Sequence, residues 1–464
     1  MKKILLSLTA SSSLLVAAER PNILFVFADD MGYGDLGCYG STQVNTPNLD
    51  SLAKGGMKFT AAYAPGCVCA PSRAGLLTGR YQNRFGFEHN LSVPAHVKPE
   101  AVGIPLDEIL MSDRLKKLGY HTGAIGKWHV GEHLPEHHPN ARGFDYFYGM
   151  LGGGHSYFPT AKNSKILRNK EKVTEFKSAY LTDSFTDEAI GFMKPDGDKP
   201  WFLYLSYNSP HTPMQAKEED LAKYPGIKEK RRQIYCAMQD SMDQNIGRML
   251  EHLKTTKQFE NTLIVFFNDN GGSVGASSAL NAPLNGMKGM LLEGGIRVPM
   301  IMHWPGKIKA DSVFEKPVIG LDFTPTFVGV AGGEVVEEMI GKGKKSRKRI
   351  RDGVDLMPYI QGEKTGSPHD ALYWRIALRG SAIRQGDWKL IQTPHNPTML
   401  FNLKEDISEQ NNLALKMPEK VKQMTTDYHI WAESLEKNPM WISNVFWSKY
   451  NRGLYDKKYQ LTQP

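Results

Sequence analysis

The sequence predicts an α/β fold: a large, mostly parallel mixed central sheet flanked by helices, with a smaller C-terminal α+β unit carrying an antiparallel sheet. Three observations lead there. Short apolar runs at Ile23 to Ala28, His121 to Ile125, Phe202 to Tyr207 and Leu263 to Phe267 each end in polar residues and a turn, as strands buried on both faces do. The stretches between them carry helical periodicity, as in Leu106 to Leu118 and Gln233 to Leu250. After Gly362, a segment punctuated by Pro and Gly runs to Pro368, and new strand-like runs follow at Ala371 to Arg375, Ser381 to Arg384 and Trp388 to Ile391. This change of character places a boundary between residues 19–365 and 366–464.

At the N-terminus, Met1-Lys2-Lys3, the apolar stretch Ile4 to Val16 and Ala17-Ala18 have the three parts of a secretory signal peptide. Residues 1–18 are expected to be removed, leaving a mature chain that begins near Glu19 and is exported, periplasmic or secreted. A membrane anchor needs about 20 apolar residues, and this run is shorter and broken by Thr9 and Ser11 to Ser13. No later segment is apolar enough to span a bilayer. With 464 residues, 23% charged and 41% hydrophobic, the composition excludes a disordered, collagenous or coiled-coil chain. The net charge of +8 falls to +6 without Lys2 and Lys3, a mildly basic balance from which no nucleic-acid partner is expected.

Four cysteines, Cys38, Cys67, Cys69 and Cys236, are too few for a disulfide framework in a chain of this length. Cys236 lies on a helical stretch with Met242, Ile246 and Leu250 and reads as a small buried apolar residue. Cys38 and Cys67 take the same reading, and a bridge between Cys67 and Cys69 would be strained.

In parallel sheets, functional groups gather beyond the carboxyl ends of the strands. Here those ends carry Asp29-Asp30, Lys127 with His129, His211, and Asp269-Asn270. Asp29, Asp30, Asp269 and Asn270 are hard oxygen donors suited to Ca²⁺ or Mg²⁺. An Asp pair after a strand can equally be a turn or helix cap, but two such pairs at equivalent positions favour a metal. In Cys69-Ala70-Pro71-Ser72-Arg73-Ala74-Gly75-Leu76-Leu77-Thr78-Gly79-Arg80, Pro71 fits the first position of a helix that Gly79 ends. Cys69 would then sit at a positively polarised N-terminus, as a buried cysteine, a thiolate nucleophile or a modified residue. Taken singly, His129 and His211 read as ordinary histidines and Lys127 and Lys288 as solvated charges. Arg80, Glu293 and Arg297 read as structural. The basic run Lys342 to Arg351 reads as a solvated loop, with polyanion contact as the alternative.

These segments, with Asp29-Asp30-Met31-Gly32, Gly126-Lys127-Trp128-His129, Pro210-His211-Thr212-Pro213, Asn268-Asp269-Asn270-Gly271 and Lys288 upstream of Glu293-Gly294-Gly295-Ile296-Arg297, resemble the type I, formylglycine-dependent sulfatases of the alkaline phosphatase superfamily. The similarity runs from Pro21 to about Leu413. Around Gly86-Phe87-Glu88 and Val102-Gly103-Ile104-Pro105 it is similar to the arylsulfatase A and N-acetylgalactosamine-6-sulfatase group. The resemblance implies that a maturation enzyme oxidises Cys69 to Cα-formylglycine, whose hydrate attacks the sulfur of a sulfate ester. A covalent sulfoenzyme then forms, and sulfate leaves by C–O cleavage. It further implies one Ca²⁺ held by Asp29, Asp30, Asp269, Asn270 and modified Cys69. Arg73 and Lys127 would hold the diol and sulfate, with Lys288 also on the sulfate. His129 would take the second hydroxyl's proton, and His211 would protonate the leaving alcohol.

The substrate is expected to be a sulfated carbohydrate, a glycosaminoglycan or an algal-type polysaccharide fragment. Loops Arg84 to Pro94 and Gly149 to Pro159 would shape the pocket, completed by the chain after Thr365, with His155 reading equally as a substrate contact or an ordinary loop histidine. Trp441, Phe446, Trp447, Tyr450, Arg452 and Tyr455 could stack on sugars or pack as a lid. Two competing readings are a phosphomonoesterase or phosphodiesterase of the same superfamily, which Cys69 in its Ser72-Arg73 context disfavours, and a non-catalytic glycan-binding relative, which the complete site set disfavours.

Overall fold

The computed structural model describes residues 20–93, 97–194, 199–334, 339–340, 347–394 and 396–442. The predicted signal peptide, Lys342 to Ser346 of the basic run, and Phe446, Trp447, Tyr450, Arg452 and Tyr455 of the tail lie outside the described residues. Among the described residues no helix is long and apolar enough to cross a membrane.

The main sheet has ten strands: β1 (Asn22–Ala28), β2 (Met57–Phe59), β3 (His121–Lys127), β4 (Tyr146–Met150), β5 (Leu167–Arg168), β6 (Glu171–Lys172), β7 (Trp201–Ser206), β8 (Thr262–Asn268), β9 (Met300–His303) and β10 (Ser312–Phe314). Their order is β10-β2-β9-β8-β1-β7-β3-β4-β5-β6. The middle strands β8, β1, β7, β3 and β4 run parallel, whereas β9 and the β5–β6 hairpin are antiparallel to their neighbours. Each predicted strand is present, longer by one or two residues at one end, longer by one at both, or displaced by one. β2, β4, β9, β10, the edge hairpin and the last C-terminal strand, Met399–Asn402, went unpredicted, because runs of two to five residues carry too little periodicity to detect.

β1 is apolar throughout because both its faces are covered. Ile23, Phe25 and Phe27 enter one core and Leu24, Val26 and Ala28 the other. Helices α1 (Pro47–Gly55), α4 (Leu181–Phe192) and α5 (Lys230–Thr255) cover the second face through residues such as Leu52, Phe185, Met242 and Ile246. Helices α2 (Cys69–Thr78), α3 (Met111–Lys117) and α6 (Phe323–Val330) cover the first through Ala74, Leu115 and Phe327.

Two helical expectations need correction. The stretch Leu106 to Leu118 is helical only from Met111, since Leu106 is half exposed and the Asp113 carboxylate accepts the backbone N–H of Leu110 at 3.0 Å, starting the helix there. Cys236 is buried and free, as expected. It does not share the Met242 stripe, however, but packs with Val44, Tyr224 and Ala237 on another side of α5. Cys67 is buried and free as well, while Cys38 is only partly buried.

The chain after the main sheet forms a four-stranded antiparallel sheet, β11 (Leu372–Ile376), β12 (Gly380–Gln385), β13 (Trp388–Gln392) and β14 (Met399–Asn402), covered by α7 (Pro418–Ala432). A buried polar network ties it to the main body. Glu293 accepts from Lys389 Nζ at 2.8 Å, from Tyr63 at 2.6 Å and from Arg297 at 3.2 Å. Lys389 also reaches Glu409 at 2.9 Å, and Glu409 accepts the backbone N–H of Glu293 at 2.7 Å. Arg384 donates to Tyr63. Glu293 and Arg297 are thus structural, as is Arg80, which pairs with Glu108. Trp441 packs on Phe87 and donates to Asn90 O at 2.9 Å, so it is part of the core.

Two stability predictions follow from these contacts. Lys389→Met leaves two buried carboxylates without their shared cation and should destabilise the protein by about 3–5 kcal/mol, read by urea unfolding. His369 donates to Asp322 at 2.8 Å; burial opposes its protonation but Asp322 outweighs it, raising its pKa above the ordinary 6.5. The pair therefore stabilises fully below that ordinary value and is lost as pH rises through the raised one. His369→Gln should cost about 1–2 kcal/mol at pH 6 and less at pH 9.

Candidate active site

Strands β8, β1, β7 and β3 lie side by side and point the same way, so the residues after their last positions meet on one rim of the sheet. Asp29 and Asp30 follow β1, His211 follows β7, Asp269 and Asn270 follow β8, and Lys127 ends β3 with His129 two residues on. β3 can close against β7 because residue 126 is glycine: φ is 105° there and a Cβ would fall 1.9 Å from Ser206 O.

Helix α2 brings Cys69 to the same rim. It starts at Cys69 itself, two residues before the predicted Pro71, after an extended Val68, and ends at Gly79 with φ 68°. Cys69 Sγ lies 3.6 Å from Asp29 Oδ1 and 4.0 Å from Asp30 Oδ1. Lys288, from the loop before Glu293, reaches Asp30 at 2.8 Å. Lys127 Nζ donates to Asp29 Oδ2 at 2.6 Å. Arg73 donates to Asp269 Oδ2 through Nη2 at 2.9 Å and Nε at 3.2 Å, and through Nη1 to Ser206 Oγ at 2.5 Å and Lys127 O at 3.2 Å. Its guanidinium therefore orients Asp269 and clamps β7 to β3. His211 Nε2 stands 3.6 Å from Asp30 Oδ2, with Nδ1 held on Thr212 O at 2.7 Å.

The whole predicted set is brought together and buried, except His211, which is partly exposed. Asp30 and His129 adopt left-handed backbone, with φ 65° and 59°. That conformation costs a non-glycine residue of order 1–3 kcal/mol and concentrates at functional sites.

Charge is balanced inside this rim. Burial pushes the Asp30 carboxyl up, but Lys288, His211 and Lys127 together outweigh it and hold it at about 2. Burial and the neighbouring Asp29 push Asp269 up against the pull of Arg73. Burial also lowers His129, with Lys127, Arg73 and Lys288 adding to it, and lowers His211 to about 4 despite Asp30. Both histidines are therefore neutral at rest. Burial and Asp269 push the Cys69 thiol up to about 12, the direction opposite to that of an activated thiolate.

Ligand atoms of Asp29, Asp30, Cys69 and His211 lie within 4.8 Å of one another. Asn270 donates to Asp30 Oδ1 at 2.7 Å, yet its own Oδ1 is buried without a hydrogen-bond partner. A buried oxygen of that kind beside carboxylates suits a hard cation. Asp29, Asp30 and Asp269 each have an oxygen engaged by a cation, and Asp269 is not among the clustered ligand atoms.

Sequence reasoning missed three supports. Asn268 holds the turn after Asp30 by accepting from Met31 N at 3.3 Å and donating to Met31 O at 2.7 Å. Ser206 holds Arg73, and Tyr157 OH donates to the carbonyls of Asn208 and His211, the second at 2.9 Å. Only Asn268, adjoining Asp269, left a signal. His155 is structural: Nδ1 meets Ser156 O at 2.8 Å and Nε2 accepts Lys165 N–H at 3.0 Å.

A profile of the sulfatase family matches residues 21–333, and one described as N-sulphoglucosamine sulphohydrolase, C-terminal, matches residues 287–437. The chain is 28% identical to an uncharacterized sulfatase, YdeN, of Escherichia coli over 93% of this chain and 88% of that one. It is 34% identical to N-acetylgalactosamine-6-sulfatase of Sus scrofa over 76% of this chain and 68% of that one. Among solved structures, Ps i-CgsB in complex with k-i-k-neocarrahexaose superposes with a TM-score of 0.82 at 36% identity, covering 95% of this chain and 98% of that one. With its strand-end rim and a family match across most of its length, the chain belongs to the sulfatase family and is a sulfuric ester hydrolase.

Proposed function

We propose that this sulfatase removes sulfate from a sulfated carbohydrate, a carrageenan-type galactan or a glycosaminoglycan fragment, as an exported protein whose residues 1–18 are its signal. Support for the carbohydrate comes from the likeness to the neocarrahexaose complex across nearly the whole chain. The observation that carries the chemistry is Cys69 Sγ, 3.6 Å from Asp29 and 4.0 Å from Asp30 among buried cations. A thiol pushed up to about 12 is a poor nucleophile at neutral pH, so the position is useful only once modified.

Converted to Cα-formylglycine by a maturation enzyme, residue 69 supplies a hydrate oxygen as nucleophile in place of sulfur. Asp29, Asp30, Asp269 and Asn270 would hold one Ca²⁺, which supplies Lewis-acid charge beside that oxygen. Lys127 and Lys288 present fixed positive charge to the sulfuryl group, and Arg73 fixes Asp269 behind them. His211, with Nδ1–H anchored on Thr212 O and Nε2 toward the rim, takes up a proton at Nε2 when the anionic ester binds and delivers it to the leaving alcohol. His129, neutral at rest, accepts the proton from the second hydroxyl. In this reading the chain after Thr365 completes the pocket, a role supported by the buried tie of Lys389 to Glu293, five residues after Lys288.

Mass spectrometry of the peptide from Tyr63 to Arg73, made beside a converting enzyme, should show an aldehyde at position 69 and an intact thiol at Cys67. Cys69→Ala should keep its melting temperature and lose sulfate release at least about a thousand-fold; a folded, active variant, or faster release of phosphate than of sulfate from esters of one alcohol, would overturn the mechanism. Chelation with EGTA should abolish turnover and added Ca²⁺ restore it, read by sulfate release.

A further inference from the structure

The chain of β4 continues past Met150 alongside the residues leading to His129. Trp128 N–H donates to Met150 O at 2.9 Å and His129 N–H to Leu151 O at 3.0 Å. Three glycines follow. A Cβ on Gly153 would fall 2.7 Å from His129 Nε2, and one on Gly154 would sit 3.9 Å from His211 Cε1 and 3.8 Å from Thr212 O. A Cβ on Gly152 would lie 3.2 Å from Glu132 Oε2. The three successive residues therefore border Glu132, His129 and His211 in turn. Gly154 is exposed and the other two are half-buried.

None of the three has left-handed φ, so backbone conformation does not demand glycine here. Close approach to His129 accounts for Gly153 alone. At Gly154 a side chain would make ordinary contacts in the protein and would intrude only on something bound against His211. Glu132 is 36% exposed at the edge of this run and meets His133 at 3.8 Å. Its carboxylate can accept a hydroxyl hydrogen and repels a second sulfate.

We infer that Gly152-Gly153-Gly154 is a side-chain-free saddle over the two histidines on which the sugar bearing the ester lies, with Glu132 accepting a sugar hydroxyl at its edge. This deepens the carbohydrate reading and rests on it. The bare peptide lets a ring approach closely enough for its ester to reach the buried rim, and Glu132 selects saccharides that present a free hydroxyl on that side.

Steady-state sulfate release is measured for the wild type, Gly154→Ala, Gly154→Val, Glu132→Gln and Glu132→Asp on k-i-k-neocarrahexaose and on N-acetylgalactosamine 6-sulfate, with melting temperatures alongside. On whichever saccharide the wild type desulfates, KM should rise in the order Gly154→Ala, Gly154→Val, reaching about tenfold or more. Glu132→Gln should raise KM by about ten- to hundred-fold, with kcat changed less than KM and partial rescue by Glu132→Asp. An active wild type whose KM is unmoved by Gly154→Val and Glu132→Gln overturns the saddle while leaving the carbohydrate reading intact. So does a fall in kcat that tracks a fall in melting temperature. A wild type that releases sulfate from 4-nitrophenyl sulfate but from neither saccharide overturns the carbohydrate reading itself, and the saddle with it.

Discussion

Everything at the rim depends on keeping three carboxylates ionised in a place with almost no water. Asp29, Asp30 and Asp269 are each 3% exposed or less, and unpaired charges so buried would be untenable. Each has its own cation from a different part of the chain: Lys127 from the end of β3, Lys288 from the loop before Glu293, and Arg73 from α2. The pairs therefore do more than neutralise. They lock a strand, a loop and a helix to the two strands that carry the acids, and removing one partner of such a pair costs about 3–5 kcal/mol. In the proposed mechanism the same cations also face the sulfate ester, so the groups that hold the site together would recognise its substrate as well.

This dual use shows in the backbone. Asp30 and His129 sit in left-handed turns that only a well-braced surrounding structure maintains. Asn268 supplies part of the brace on one side, and the Met150 and Leu151 carbonyls, pairing with Trp128 and His129, supply it on the other.

The sequence disclosed the parallel core because β1, β7 and β8 are covered on both faces and read as continuous apolar runs. It disclosed the rim because chemistry-bearing residues follow those runs directly. It did not disclose the antiparallel additions, since β5, β6 and β9 are too short to show a period. The start of α3 was misread because Leu106 keeps the apolar spacing of a helix while lying outside it. The partners of the site were the least visible. Ser206 and Tyr157 act through contacts 133 and 54 residues away in the chain, and nothing in their local sequence marks them. The role of Glu293 as a hub likewise needed Lys389 and Glu409, which only the folded chain places beside it.

The Glu293 hub ties the four-stranded sheet to the rim. Glu293 lies five residues after Lys288, and it draws its countercharge from Lys389, on β13. A gene ending between Gly362 and Pro368 would leave Glu293 with Arg297 and Tyr63 but without Lys389, weakening its neutralisation beside the loop that presents Lys288. The C-terminal sheet is in that sense a fixed keystone of the rim, and shuffling it onto another body would require moving its acidic anchor as well.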